Sequence, residues 1–116
     1  MSRTRMSNIY GNLELLILKT LSSGEPRHGL EIAEEIRRQS KDRLTIEEGA
    51  LYPALQRLQG EGLIEGEWRI SEKRRRARFY DLTPAGRAEL RNALREWTEH
   101  TGAVIRVLGV SWGDLR

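Results

Sequence analysis

The sequence predicts a mainly α domain with one small β-hairpin and a long last helix, and three observations predict it. Apolar residues recur at helical spacing as far as Gly62, alternate with polar ones between Leu63 and Leu82, and return to helical spacing after Thr83 and Pro84. A chain of 116 residues without cysteine suits one small domain with an appended element, and excludes disulfides and thiolate metal sites. No apolar run is long enough to span a bilayer and the start MSRTRMSN lacks a signal-peptide core, so a cytoplasmic protein with no membrane partner is expected. The 20 Lys and Arg barely outnumber the 17 Asp and Glu, so the placement of charge says more than its sum.

Residues 1–10 are polar, include Arg3 and Arg5, and show no period, which predicts a flexible arm. From Asn12, NLELLILKTLSSG predicts a buried helix centred on Leu13, Leu16, Ile17 and Leu21 and stopped by Ser22 to Gly24. After Glu25 and Pro26, helical periodicity resumes from His28 to Gln39. Leu30, Ala33 and Ile36 are expected to face inward, with Glu34 and Arg38 as a favourable i,i+4 pair outside.

The next stretch, TIEEGALYPALQRLQGEG from Thr45 to Gly62, reads as a short helix with two different faces. Thr45 and Glu48 have capping-box spacing at its start, and Gly60 and Gly62 supply stop signals. Leu51, Leu55 and Leu58, with Ala54, form the inward stripe, while Tyr52, Pro53, Gln56 and Gln59 face out. That outer face can stack and hydrogen-bond, as a surface offered to another molecule should. Pro53 clashes with the carbonyl of Gly49 and cannot donate to it, so a kink at Gly49 or a regular helix beginning near Tyr52 is expected. Two helices in this order make a helix-turn-helix candidate.

Beyond Gly62, Ile64, Trp68 and Ile70 alternate with Glu65, Glu67 and Arg69, and Tyr80 and Leu82 alternate with Phe79 and Asp81, which predicts two paired strands. Their connection contains Lys73, Arg74, Arg75 and Arg76, followed by Arg78. A charge run is usually a solvated surface. Four adjacent cations on a hairpin tip beside a Tyr and Gln face nevertheless repel one another unless something negative is near, and phosphate contact is the expected use.

Thr83 and Pro84 read as the N-cap and first residue of a last helix. Its positions Leu90, Leu94, Trp97, Thr101, Val104 and Leu108 are spaced 4, 3, 4, 3 and 4 apart, a heptad seam that so small a domain cannot cover, so a homodimer is expected. Trp97 is first of all a core aromatic of that seam. Beside Thr101 and Gly102 the packing is expected to leave a gap against the paired Trp97 rings.

The segments LILKTLSSGEPRHGLEIAEEI, EGALYPALQRLQGEGLI and RRRARFYDLTPAGR, in this order, resemble the PadR family of winged-helix transcriptional regulators. The resemblance runs from about Leu13 to the end, and its motifs are specific in combination. It implies a winged helix-turn-helix over residues 11–83 and a C-terminal dimerisation helix over residues 84–116, as in the short subfamily. It further implies a dimer on a palindromic stretch of double-stranded DNA, commonly as a repressor, and a small aromatic effector for which a flat apolar slot at Trp97 would be suited. Tyr52 and Pro53 would lie in the recognition helix, Arg74 to Arg76 in the wing, and Leu90 to Leu108 in the dimerising helix. Two positions depart from the family pattern. Leu30 follows His28 and Gly29 where an aromatic residue is frequent, and Ser71, Glu72 and Lys73 stand where the wing is usually glycine-rich.

An enzyme is disfavoured because His28 and His100 are isolated, no nucleophile and base stand at a recognisable spacing, and no phosphate-binding glycine loop is present. No metal site or cofactor is expected. His28 reads as a helix-start or packing residue. The competing binding reading is a winged helix that docks on protein through the Tyr52 face, which steep salt dependence of DNA binding would exclude.

Overall fold

A computed structural model describes residues 9–111 and 113, with side chains from residue 12 onward. Four helices pack against a small antiparallel sheet. In chain order they are α1 (Ile9–Leu21), β1 (Arg27–His28), α2 (Gly29–Gln39), α3 (Glu48–Gly60), β2 (Ile64–Ile70), β3 (Arg76–Leu82) and α4 (Pro84–Leu108). The sheet order is β1-β3-β2, with Ile64 opposite Leu82 at the base of the hairpin and Ile70 opposite Arg76 at its tip. Among the described residues no helix is long and apolar enough to cross a membrane.

The core forms where the apolar stripes of the helices meet. Ile17, Leu18 and Leu21 of α1, Ile32 of α2, Leu51, Leu55 and Leu58 of α3 and Ile64 of β2 are all fully buried. Thr83 caps α4 as its sequence requires: its Oγ1 accepts from the Gly86 amide at 3.0 Å, with Pro84 in the first turn. The same hydroxyl donates to the Gly62 carbonyl at 2.6 Å, which ties the helix start to the strand base.

Several local expectations change. Helix α1 begins at Ile9, inside the stretch expected to be an arm, while residues 1–8, with Arg3 and Arg5, lie outside the described residues. Helix α3 begins at Glu48 with Glu47 as its N-cap and no side-chain cap, so Thr45 and Glu48 do not form the capping box. The Glu47 carbonyl instead accepts from both Ala50 and Leu51, in register with the burial of Leu51. A four-residue pattern cannot outweigh that packing. The capping box is found at α2, where His28 Nδ1 accepts from the Glu31 amide at 3.4 Å and the His28 amide donates to Glu31 Oε1 at 3.2 Å.

Leu30 does not face inward: it is 55% exposed, and Gly29, Ile32 and Ile36 form the buried stripe. Ile36 is buried as expected and Ala33 packs against the core, but the stripe is turned toward Gly29 and Ile32 and away from Leu30. The cause is β1, a strand invisible as alternation in two residues, which pairs Arg27 with Tyr80 and His28 with Phe79 and so fixes the phase at which α2 starts. Nor do Glu34 and Arg38 pair. Glu34 binds Arg37 and Glu35 binds Arg38, both at i,i+3, and Arg37 also reaches Asp42 at 2.7 Å.

Candidate nucleic-acid interface

Helix α3 presents its outer face through the burial of the opposite one. Leu51, Ala54, Leu55 and Leu58 anchor it, which leaves Glu48, Gly49, Tyr52, Pro53, Gln56 and Gln59 exposed. The regular helix runs through Pro53 from Glu48 to Gly60 and does not wait until Tyr52 to begin. Pro53 still removes the amide that would serve Gly49, and the exposure of Gly49 lets water take that place.

Tyr52 is 40% exposed, and its ring lies against the backbone of Gly29. A Cβ on Gly29 would come within 2.9 Å of the Tyr52 ring and hydroxyl, so glycine at that position allows α2 and α3 to meet there. Partial burial, and then the neighbouring Glu48 and Tyr80, raise the phenol above the ordinary tyrosine value and keep it a neutral hydrogen-bond donor.

A bond that sequence reasoning missed fixes the helix from behind. Arg57 Nε donates to Glu14 Oε2 at 2.8 Å, and the Glu14 side chain is only 4% exposed. Helix α3 is thereby tied to α1. The available signal was a single carboxylate within the apolar run NLELLIL.

The hairpin supplies the second surface. Its tip closes by hydrogen bonds from the Ser71 amide to the Arg75 carbonyl at 2.8 Å and from the Arg74 amide to the Ser71 carbonyl at 2.9 Å. Arg74 adopts φ of 61°, so a left-handed turn position is met without the glycine usual there. Lys73, Arg74, Arg75 and Arg76 are exposed and Arg78 is half-buried. Among the described residues none of these five has an acidic partner. Trp68 and Ile70 also lie beyond the core, at 52% and 66% exposure, because the hairpin extends past the helices that cover its base.

A groove of about 1080 Å³ separates the two surfaces and joins them. Leu30 and Tyr52 lie on one wall, Trp68, Arg75, Arg76 and Arg78 on the other, and Tyr80 is shared. Gln56 sits one turn beyond Tyr52 on the same exposed face, outside the groove lining. Among the described residues no group of three or more His, Asp or Glu is placed to hold a metal ion.

The sequence model of the Transcriptional regulator PadR-like family matches residues 17–92, which include every element from the second half of α1 to the first turns of α4. The chain belongs to the PadR-like family. Members of that family are DNA-binding transcriptional regulators and not enzymes. The Transcriptional regulator Rv3488 of Mycobacterium tuberculosis is 42% identical over 72 residues, which cover 60% of this chain and 64% of that protein. An uncharacterized protein of Lysinibacillus sphaericus is 30% identical over 95 residues, 82% of this chain and 86% of that one. Among solved structures, a transcriptional regulator from Clostridium thermocellum superposes with a TM-score of 0.74 at 32% identity, covering 84% of this chain and 90% of that chain. A PadR family transcription regulator from hypervirulent Clostridium difficile gives 0.72 at 27% identity, over 84% and 99% of the two chains. The winged-helix architecture is therefore shared, and the glycine-poor tip of this PadR-family chain still closes as a tight hairpin.

In α4, Leu90 is buried in its own chain's core, while Leu94, Val104 and Leu108 are exposed and Trp97 and Thr101 are half-exposed. Trp97 packs against the core from its edge. The predicted seam thus begins inside the domain and runs outward along the helix.

Proposed function

We propose that this PadR-family chain is a cytoplasmic homodimer that represses transcription by binding a palindromic operator, with α3 in the major groove and the hairpin tip on the flanking backbone. The observation that supports this reading most is the shared groove, lined both by Tyr52 and by Lys73, Arg75, Arg76 and Arg78 of the hairpin. Tyr52, Pro53 and Gln56 supply the reading face, and Lys73, Arg74, Arg75, Arg76 and Arg78 bind the phosphates.

The test is binding, at several salt concentrations, to a duplex selected by the protein from randomised DNA. Replacing Arg74, Arg75 and Arg76 together with Ala is expected to weaken every sequence and to lower the log–log salt slope by roughly 0.9 for each phosphate no longer neutralised. Gln56→Ala is expected to remove about 1–3 kcal/mol of sequence discrimination and to leave random-sequence binding nearly intact. No duplex binding, or a triple variant with unchanged affinity and slope, overturns the reading.

Release by a planar aromatic ligand at Trp97 completes the proposal, because the half-exposed ring lies where the seam leaves the core. Such a ligand must favour a dimer whose half-site spacing no longer fits DNA. Titration with planar aromatics is expected to change tryptophan fluorescence and lower operator affinity in the wild type and to do neither in Trp97→Leu. Ligand binding retained in that variant places the site elsewhere.

A further inference from the structure

The two faces of the hairpin hold their arginines in different ways. On the face turned from the groove, Arg69 binds Glu67 at 3.1 Å, with its guanidinium 5.6 Å from the Phe79 ring centroid. On the groove face, Arg76 and Arg78 have no acid among the described residues and lie instead 4.6 Å and 5.6 Å from the centroid of Trp68. The strand register produces this arrangement. Arg78 stands directly opposite Trp68, and Arg76, opposite Ile70, is the diagonal neighbour on the same face.

Gly66 completes it. A Cβ there would lie 2.6 Å from Arg78 Nε and 3.1 Å from Arg78 Cγ, so the Arg78 side chain lies flat across the strand only because residue 66 has none. Trp68 at 52% exposure is a poor core residue, and a large ring left in water at this position needs a use. A guanidinium resting on an indole has no neighbouring anion and keeps its donors free, whereas one paired with a carboxylate has its charge compensated and some donors occupied.

We propose that Trp68 and Gly66 are positioning residues for DNA binding: they hold Arg76 and Arg78 pre-oriented on the groove face, so that a phosphate meets ordered cations. The proposal rests on the DNA-binding reading above. Ordering a long side chain at an interface opposes binding, and a chain already ordered avoids that penalty. For two partly ordered arginines the gain is about threefold to tenfold in affinity.

The experiment measures duplex affinity against salt for Trp68→Leu, Trp68→Phe, Gly66→Ala and the double variant Arg76→Ala with Arg78→Ala. The double variant is expected to lower the salt slope because charges are gone. Trp68→Leu and Gly66→Ala are expected to weaken binding about threefold to tenfold with the slope unchanged, since every charge remains. Trp68→Phe, which keeps an aromatic face, restores most of the affinity. In the free protein, the Nε–H resonances of Arg76 and Arg78 are expected to be displaced by the indole ring current and to lose that displacement in Trp68→Leu. Gly66→Ala guards against a folding defect, because the nearest atoms it meets all belong to the partly exposed Arg78 side chain and none to backbone or core. Wild-type affinity in Trp68→Leu and Gly66→Ala beside a lowered slope in the double variant overturns the positioning role alone. A wild-type protein without salt-dependent duplex binding overturns both this role and the DNA-binding reading.

Discussion

Tyr52 does two jobs with one ring, and its titration distinguishes them. The ring packs on Gly29 while its hydroxyl stays within reach of a ligand, and the burial that this packing brings raises its pKa above 10.0. A phenol whose folded pKa lies above its unfolded one contributes stability that is complete below the unfolded value and is lost as pH rises through the folded value. Ultraviolet titration is therefore expected to show a component from Tyr52 ionising above 10.0, absent in Tyr52→Phe and returned toward 10.0 in Gly29→Ala, where the added methyl pushes the ring into water. A Gly29→Ala profile identical to wild type would show that the ring does not rest on that backbone. The exposed placement of Tyr52 and of the arginine run was legible in the sequence, because the apolar stripe of α3 and the turn between the strands leave them no core to enter. The bond between Glu14 and Arg57 was not, since it joins positions 43 apart and no local period reports a partner at that distance. The same holds for Trp68, whose role depends on the strand register that sets Arg78 opposite it.

Elements were legible in proportion to their length. The stripe of α3 and the Thr83 cap of α4 follow from repeated or paired signals, whereas β1 has two residues and the expected start of α3 rests on a single four-residue pattern. The shifted phase of α2 follows from the unseen β1, because the strand decides where that helix begins. The junction of β2 and α4 shows how tightly one element can set another. A Cβ on Gly86 would fall 2.0 Å from the carbonyl oxygen of Leu63, a backbone atom that also accepts the Thr83 amide at 3.1 Å. Alanine is the better helix former by about 1 kcal/mol, but forced overpacking of this kind costs about 1–3 kcal/mol or more. Gly86→Ala is accordingly expected to lower the urea midpoint of unfolding; a raised midpoint would show that propensity outweighs the clash.

At the scale of the molecule, the chain is longer than its size requires. Its radius of gyration is 15.2 Å with extents of 50 × 32 × 24 Å, against about 13 Å for a compact domain of this length. The excess belongs to α4, whose 25 residues reach roughly 37 Å and whose apolar positions become more exposed toward the C-terminal end. The proposed dimer would cover this end. Replacing Leu94 and Val104 with Lys is expected to give a folded monomer by sedimentation, with weakened binding to paired half-sites, because neither side chain belongs to the core. Unchanged self-association would move the dimer interface elsewhere. The heptad spacing was visible in the sequence, but the use of Leu90 inside the domain was not, because a seam and a core stripe share one period.

The hairpin tip carries a tension of its own. Arg74 occupies a left-handed backbone conformation that disfavours any side chain by roughly 1–2 kcal/mol, beside three like charges that repel it. Glycine would relieve both stresses and remove a cation from the turn. In the proposed complex with DNA, neutralisation of the four cations would relax their mutual repulsion at the moment of contact.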